Sequence, residues 1–154
     1  MAKTLFTIGY QSTTVPNFLS TLRDAKVALL VDVRAVAMSR RPGFAKSALT
    51  ANLKGAGIDY LHLRKLGTPS DGRAAARAGR HEEMHRIFRE QLATDAAQDE
   101  LQTLAQLVDG NRPVALMCFE AQAKECHRTI VADALGALVD ITVVDLMPDV
   151  GDSD

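Results

Sequence analysis

Two stretches of the sequence, RHEEMHRIF (residues 80–88) and CFEAQAKECHR (residues 118–128), hold side chains whose types and spacing could do chemistry. The first contains His81-Glu82-x-x-His85, the zinc-protease pattern. On a helix, residues four apart share a face, so two imidazoles can hold zinc with the glutamate beside them as general base. A catalytic zinc also needs a third protein ligand. No third histidine follows at short spacing, and Glu90, Asp99 and Glu100 stand out only as common acids. Met84, Ile87, Phe88 and Leu92 recur at helical spacing, so two histidines flanking an apolar stripe explain the pattern without an ion. We expect no metal at His81 and His85.

The second stretch offers three chemistries. Cys118 closes an apolar run, and Cys126-His127-Arg128 opens a helical pattern. A helix start presents free N–H groups and a positive dipole end, and a cysteine there beside an imidazolium and a guanidinium has three reasons to ionise. Cys126 then reads as nucleophile, with His127 and Arg128 assisting and Glu120 as acid or base. Alternatively Cys118 is a small core residue and the cluster only joins elements. Third, Cys118, Cys126 and His127, with Glu120, are donors that suit zinc or iron. Their spacing matches no common knuckle, and His127, directly after Cys126, is expected to point away from a shared ion. The expectation is therefore no metal and no cofactor.

These side chains must be positioned by something, and the chain is rich enough in apolar residues to build it. At 154 residues and 47% hydrophobic content it suits one domain, residues 1–148, with a short acidic tail at 149–154. Five short apolar runs read as strands: Leu5 to Ile8, Val27 to Val33, Ile58 to Leu63, Val114 to Phe119 and Ile141 to Leu146. Because most are continuous and not alternating, they read as strands buried on both faces of a parallel sheet. Helical patterns lie between them: Val15 to Ala25, Lys46 to Ala56, a long stretch from His81 to Val108, and Arg128 to Leu138. Pro69 to Arg80 is irregular or weakly helical. The expected fold is an α/β single-domain sandwich, with a mainly parallel sheet of about five strands flanked by helices.

In such a sheet all strands end at one edge, where ligands bind. Polar residues gather at those ends: Gly9, Tyr10 and Ser12 after the first, Asp32 and Arg34 at the second, Cys118 and Glu120 at the fourth. The net charge is −1, yet residues 34–80 hold ten basic side chains and two acids, so the rest of the chain carries −9. A basic segment in a near-neutral protein points to an anionic ligand. Arg34, Arg40, Arg41 and Arg73 are the expected phosphate contacts. The N-terminus lacks the apolar core of a signal peptide, no run approaches the length of a membrane span, and two cysteines form no disulfide framework. We expect a cytoplasmic protein with reduced thiols and no membrane partner; the oligomeric state is left open.

The segments TIGYQSTTVPNFLSTL, VDVR, SRRPGFAKSAL, GIDYLHLRKLGTP and CFEAQAKECHR, in this order and spacing, resemble the bacterial domain of unknown function 488 family. The resemblance runs from Thr7 to about Leu138, and its most specific part is Cys118-x-Glu120 with Cys126-His127-Arg128. It implies a small α/β protein and no particular reaction. Carried over by position, the family's polar motifs fall on Gly9 and Tyr10, Asp32 and Arg34, Cys118 and Glu120, and Cys126 to Arg128. Tyr10 stands where many relatives have histidine. The strand-loop-helix layout also resembles the cysteine sites of rhodaneses and tyrosine phosphatases, although neither cysteine-loop signature is present.

The leading expectation is an enzyme acting on a phosphate-bearing nucleotide or nucleic acid, with Asp32 or Glu120 as acid or base and Cys126 and His127 assisting or attacking. The alternatives are a non-catalytic nucleic-acid or partner-binding module, and a thiol or sulfur-transfer protein using Cys118 and Cys126 as a pair.

Overall fold

A computed structural model describes residues 2–123 and 126–151. Its centre is a five-stranded sheet, β1 (Lys3–Gly9), β2 (Leu29–Asp32), β3 (Asp59–His62), β4 (Val114–Cys118) and β5 (Ile141–Leu146), in the order β3-β2-β4-β1-β5. Every pairing is parallel. The three inner strands read as continuous apolar runs because both faces are covered: β2 and β4 are buried along their whole length. The edge strands depart from that expectation. On β5, Val143 and Val144 are exposed at 42% and 39%, because this strand has a hydrogen-bonded neighbour on one side only.

Among the described residues six α-helices connect the strands: α1 (Val15–Asp24), α2 (Lys46–Gly55), α3 (Ser70–Arg77), α4 (His81–Leu92), α5 (Asp95–Asp109) and α6 (Arg128–Gly136). Phe18 and Leu22 of α1 and Leu49 and Leu53 of α2 pack with Ile8, Leu30 and Met117 on one face of the sheet. Met84 and Phe88 of α4, Leu101 and Leu104 of α5 and Val131 of α6 pack with Leu5, Val31 and Leu116 on the other. The long helical stretch expected from His81 to Val108 is broken in two at Ala93 and Thr94. The backbone N–H groups of both residues close the end of α4, while the Thr94 hydroxyl accepts the Ala97 N–H and caps the start of α5. The weakly helical Pro69 to Arg80 segment holds α3, preceded by a 3₁₀ turn at Arg64–Leu66.

Strand order places the site. The chain runs from β1 to β2 to β3 toward one edge, with helices on one face, then returns through β4 to β5 with helices on the other. The connections leaving β1 and β2 therefore bend one way and the one leaving β4, between them, bends the other. This reversal opens a crevice at the carboxyl ends of these strands. Of the tail, Asp149, Val150 and Gly151 dock on the β1–α1 loop: the Thr13 hydroxyl donates to the Asp149 carbonyl and Gly151 N–H to the Ser12 carbonyl. Residues 152–154 lie outside the described residues. Among the described residues no helix is long and apolar enough to cross a membrane.

Candidate functional site

The crevice is a cleft of about 870 Å³. Two glycines let its walls meet. A Cβ on Gly9 would collide with the Glu120 carbonyl, so only glycine lets the end of β1 touch the loop after β4. A Cβ on Gly67 would likewise collide with the Ala35 backbone, where the loop after β3 meets the loop after β2. Gly9 thus shapes the site from behind and does not line it.

One wall rests on a buried polar hub. Asp32 is fully buried and accepts four donors: the Arg34 backbone N–H at 3.0 Å, Arg34 Nε at 2.9 Å and Nη2 at 2.7 Å, and the Tyr60 hydroxyl at 2.6 Å. Arg34 Nη1 donates to the Tyr10 hydroxyl and the Phe44 carbonyl, at 3.0 and 2.8 Å. Burial alone would lower the Arg34 pKa, but hydrogen bonding and charge from Asp32 more than offset it and hold Arg34 above its ordinary value. Burial and the bond to Asp32 push the Tyr60 phenol up as well. Asp32 therefore lies behind the cleft as a fixed anion, and the expectation that it acts as acid or base meets a carboxylate already committed to four donors. Arg34 lines the cleft, but with most of its donors spent it is a wall more than a phosphate clamp. Tyr10, stacked on Phe44 at 4.6 Å, completes that wall.

The floor is built where β4 ends and the chain returns to start α6. Cys118 lines the cleft, with Glu120 beside it; Cys118 Sγ lies 3.7 Å from Glu120 Oε2. Cys126 is fully buried and joined to Cys118 in a disulfide, which differs from the reduced thiols expected from the sequence. His127 lines the cleft, and its Nε2 lies 2.7 Å from the Val33 carbonyl. That bond needs a proton on Nε2 and leaves the Nδ1 lone pair turned to Cys126 Sγ, 3.6 Å away. Burial pulls the His127 pKa down to about 4, so the ring is neutral and supplies no imidazolium to Cys126. The helix itself begins at Arg128, one residue after His127.

Arg128 is fully buried and holds the β4–α6 loop from behind. Its Nη1 donates to the Glu120 carbonyl at 2.5 Å and to Cys118 Sγ at 3.1 Å, and its Nη2 to the Ala121 carbonyl at 3.2 Å. Burial lowers its pKa, and among the described residues it makes no ion pair. Its backbone N–H also donates to Cys126 Sγ at 3.5 Å, so it is a positioning residue bonded to both sulfurs and does not line the cleft.

The expected basic face is divided. Arg34, Arg40, Arg73 and Arg77 line the cleft, whereas Arg64 and Lys65 line a separate depression. Arg41 is turned to the Thr13 carbonyl and Arg80 pairs with Glu83. Ser12, whose carbonyl accepts Gly151 N–H, is also away from the cleft. Several further residues line the cleft. Arg77 carried a signal, as part of the basic segment; Val36, Met38 and Phe119, exposed apolar residues at the rim, carried none. His81 lines the cleft as well, although it and His85 converge with no third Cys, His, Asp or Glu donor among the described residues.

A family model described as Domain of unknown function DUF488 matches residues 14–135, most of the chain. No curated protein and no solved structure matches.

Proposed function

The chain belongs to the domain of unknown function 488 family, and with that membership as premise we propose that it is an enzyme working on a phosphate-bearing substrate, a nucleotide or nucleic acid, in this cleft. The observation that carries the reading is the convergence of Arg40, Arg73 and Arg77, none in an ion pair among the described residues, on a cleft floored by Cys118, Glu120 and His127. Guanidinium groups suit phosphate oxygens because their planar donors match them in pairs. Val36, Met38 and Phe119 give the rim exposed apolar surface, which favours a substrate with a ring to stack over bare phosphate. Arg40, Arg73 and Arg77 would hold the phosphate, and Glu120 would move a proton.

Calorimetric titration with inorganic pyrophosphate and with adenine mononucleotides tests the reading. Losing one charged hydrogen bond costs about 1.5–3 kcal/mol, roughly a tenfold or larger loss of affinity. Arg73→Ala and Arg77→Ala should each show such a loss, and Arg64→Ala, outside the cleft, should not. Equal effects from all three substitutions, or no binding by the unsubstituted protein, would remove the support. A second reading, thiol or sulfur transfer through Cys118 and Cys126, is favoured by their bridge at the same floor.

A further inference from the structure

We propose that, in its dithiol form, the protein binds one zinc ion through Cys118 Sγ, Cys126 Sγ and His127 Nδ1 at the floor of the cleft, leaving a fourth coordination position open to the cleft. This stands apart from the anionic-substrate reading and does not depend on it.

The three donor atoms lie within 4.8 Å of one another and all three residues are buried. The objection raised by the sequence, that adjacent Cys126 and His127 would point apart, is removed by the turn before α6, which brings His127 Nδ1 toward the sulfurs. The ring is also set up as a ligand. Metal-binding histidines usually donate their other N–H to a carbonyl or carboxylate, which fixes tautomer and orientation, and His127 does so to Val33. Two thiolates with one imidazole are a donor set that suits zinc, and three protein ligands with an open place are the arrangement of a catalytic zinc site.

Backbone spacing agrees. The Cα atoms of Cys118 and Cys126 are 7.3 Å apart, wider than the roughly 4.4–6.8 Å usual across a bridge. Two thiolates on one tetrahedral zinc, with bonds of about 2.3 Å, sit about 3.8 Å apart and suit the wider span. The buried Arg128 guanidinium, bonded to Cys118 Sγ, supports the thiolate form. Two thiolates, the zinc, the Arg128 guanidinium and the Glu120 carboxylate sum to zero, so the open position suits a water or a substrate oxygen. Glu120, beside Cys118, is placed to take the proton from a bound water.

The bridge and the zinc site exclude each other. Closing the bridge takes two electrons and two protons from the thiols, and a disulfide or similar oxidant must accept the electrons. Zinc binding is therefore measured on tag-free protein reduced with a phosphine, freed of reductant under nitrogen, and titrated with zinc against a chromogenic chelator. One equivalent should bind, and X-ray absorption should show two sulfurs and one imidazole. Cobalt(II) in place of zinc should give a thiolate charge-transfer band. Cys126→Ser and His127→Ala should lose stoichiometric binding, with circular dichroism confirming that each is folded; His81→Ala/His85→Ala should keep it. Should either variant not fold, the cobalt spectrum of the unsubstituted protein, with or without thiolate bands, still decides. Protein with two titratable thiols that takes up no zinc would overturn the proposal. So would zinc that stays in Cys126→Ser and leaves with His81 and His85. Nucleotide binding by the metal-free protein is scored separately, so either reading can fail alone.

Discussion

Replacing Asp32 by asparagine keeps the shape of the buried hub and removes its charge. Arg34, 6% exposed, would then be a buried cation facing an amide whose NH₂ group must point at one or more of its own N–H donors. Removing one partner of a buried ion pair costs about 3–5 kcal/mol, because the other charge is stranded without water. For a chain of this size each kcal/mol lowers Tm by roughly 2–4 °C, so the expected fall is about 6–20 °C. Tyr60→Phe takes away one of the four donors and leaves the ion pair, so its cost should be smaller, about 1.5–3 kcal/mol for a bond to a charged acceptor. Asp32→Ala with Arg34→Met removes both charges and should recover part of the loss seen with Asp32→Ala alone, giving a clear coupling energy. Urea unfolding, extrapolated linearly to water, measures each variant. If Asp32→Asn stayed within about 1 kcal/mol of the unsubstituted protein, the hub would not be holding the wall of the cleft, and a direct role for Asp32 in chemistry would return.

Other substitutions separate contacts that matter from contacts that do not. Gly9→Ala should destabilise the fold and weaken nucleotide binding together, since the new methyl must push the β4–α6 loop away from β1; a variant with unchanged stability and affinity would mean that the loop yields freely. Thr94→Ala should cost about 1 kcal/mol in urea unfolding through loss of the α5 cap, and unchanged stability would show that the cap adds nothing. Arg112→Ala, which breaks an exposed pair with Asp59, should change stability by less than about 1 kcal/mol, and a larger loss would contradict the solvent screening expected there. His85 is held below its ordinary pKa by burial, with Arg89 and His81 adding repulsion. Its unfolded form binds protons more readily, so the stability it contributes is present above a pH of about 6.5 and is lost as pH falls below it. His85→Gln should flatten the decline in unfolding free energy between about pH 8 and pH 5.5, and an unaltered slope would remove His85 as its source.

The apolar runs determined the strands: β2 and β4 are buried along their whole length, as strands covered on both faces have to be, and β5, from Ile141 to Leu146, keeps the bounds read from the sequence. That β5 is an exposed edge was not legible, since burial depends on what lies beside a strand and not on its composition. Alternation of strands and helices likewise determined the parallel α/β fold and the edge where polar residues gather. Cys118, Glu120 and His127, which line the cleft, were readable as candidates because cysteine, carboxylate and imidazole at strand and helix ends are few and local in sequence. Three-dimensional packing decided the rest. Asp32 and Arg34 look like chemistry when read two residues apart, yet Tyr60 and Phe44, distant in sequence, consume their hydrogen bonds. The ten basic residues of one segment were divided by the turns and helices that carry them, and only four reached the cleft. The direction of the His127 lone pair depended on the Val33 carbonyl, 94 residues earlier, because a hydrogen bond is fixed by where two chain segments meet and not by either segment alone.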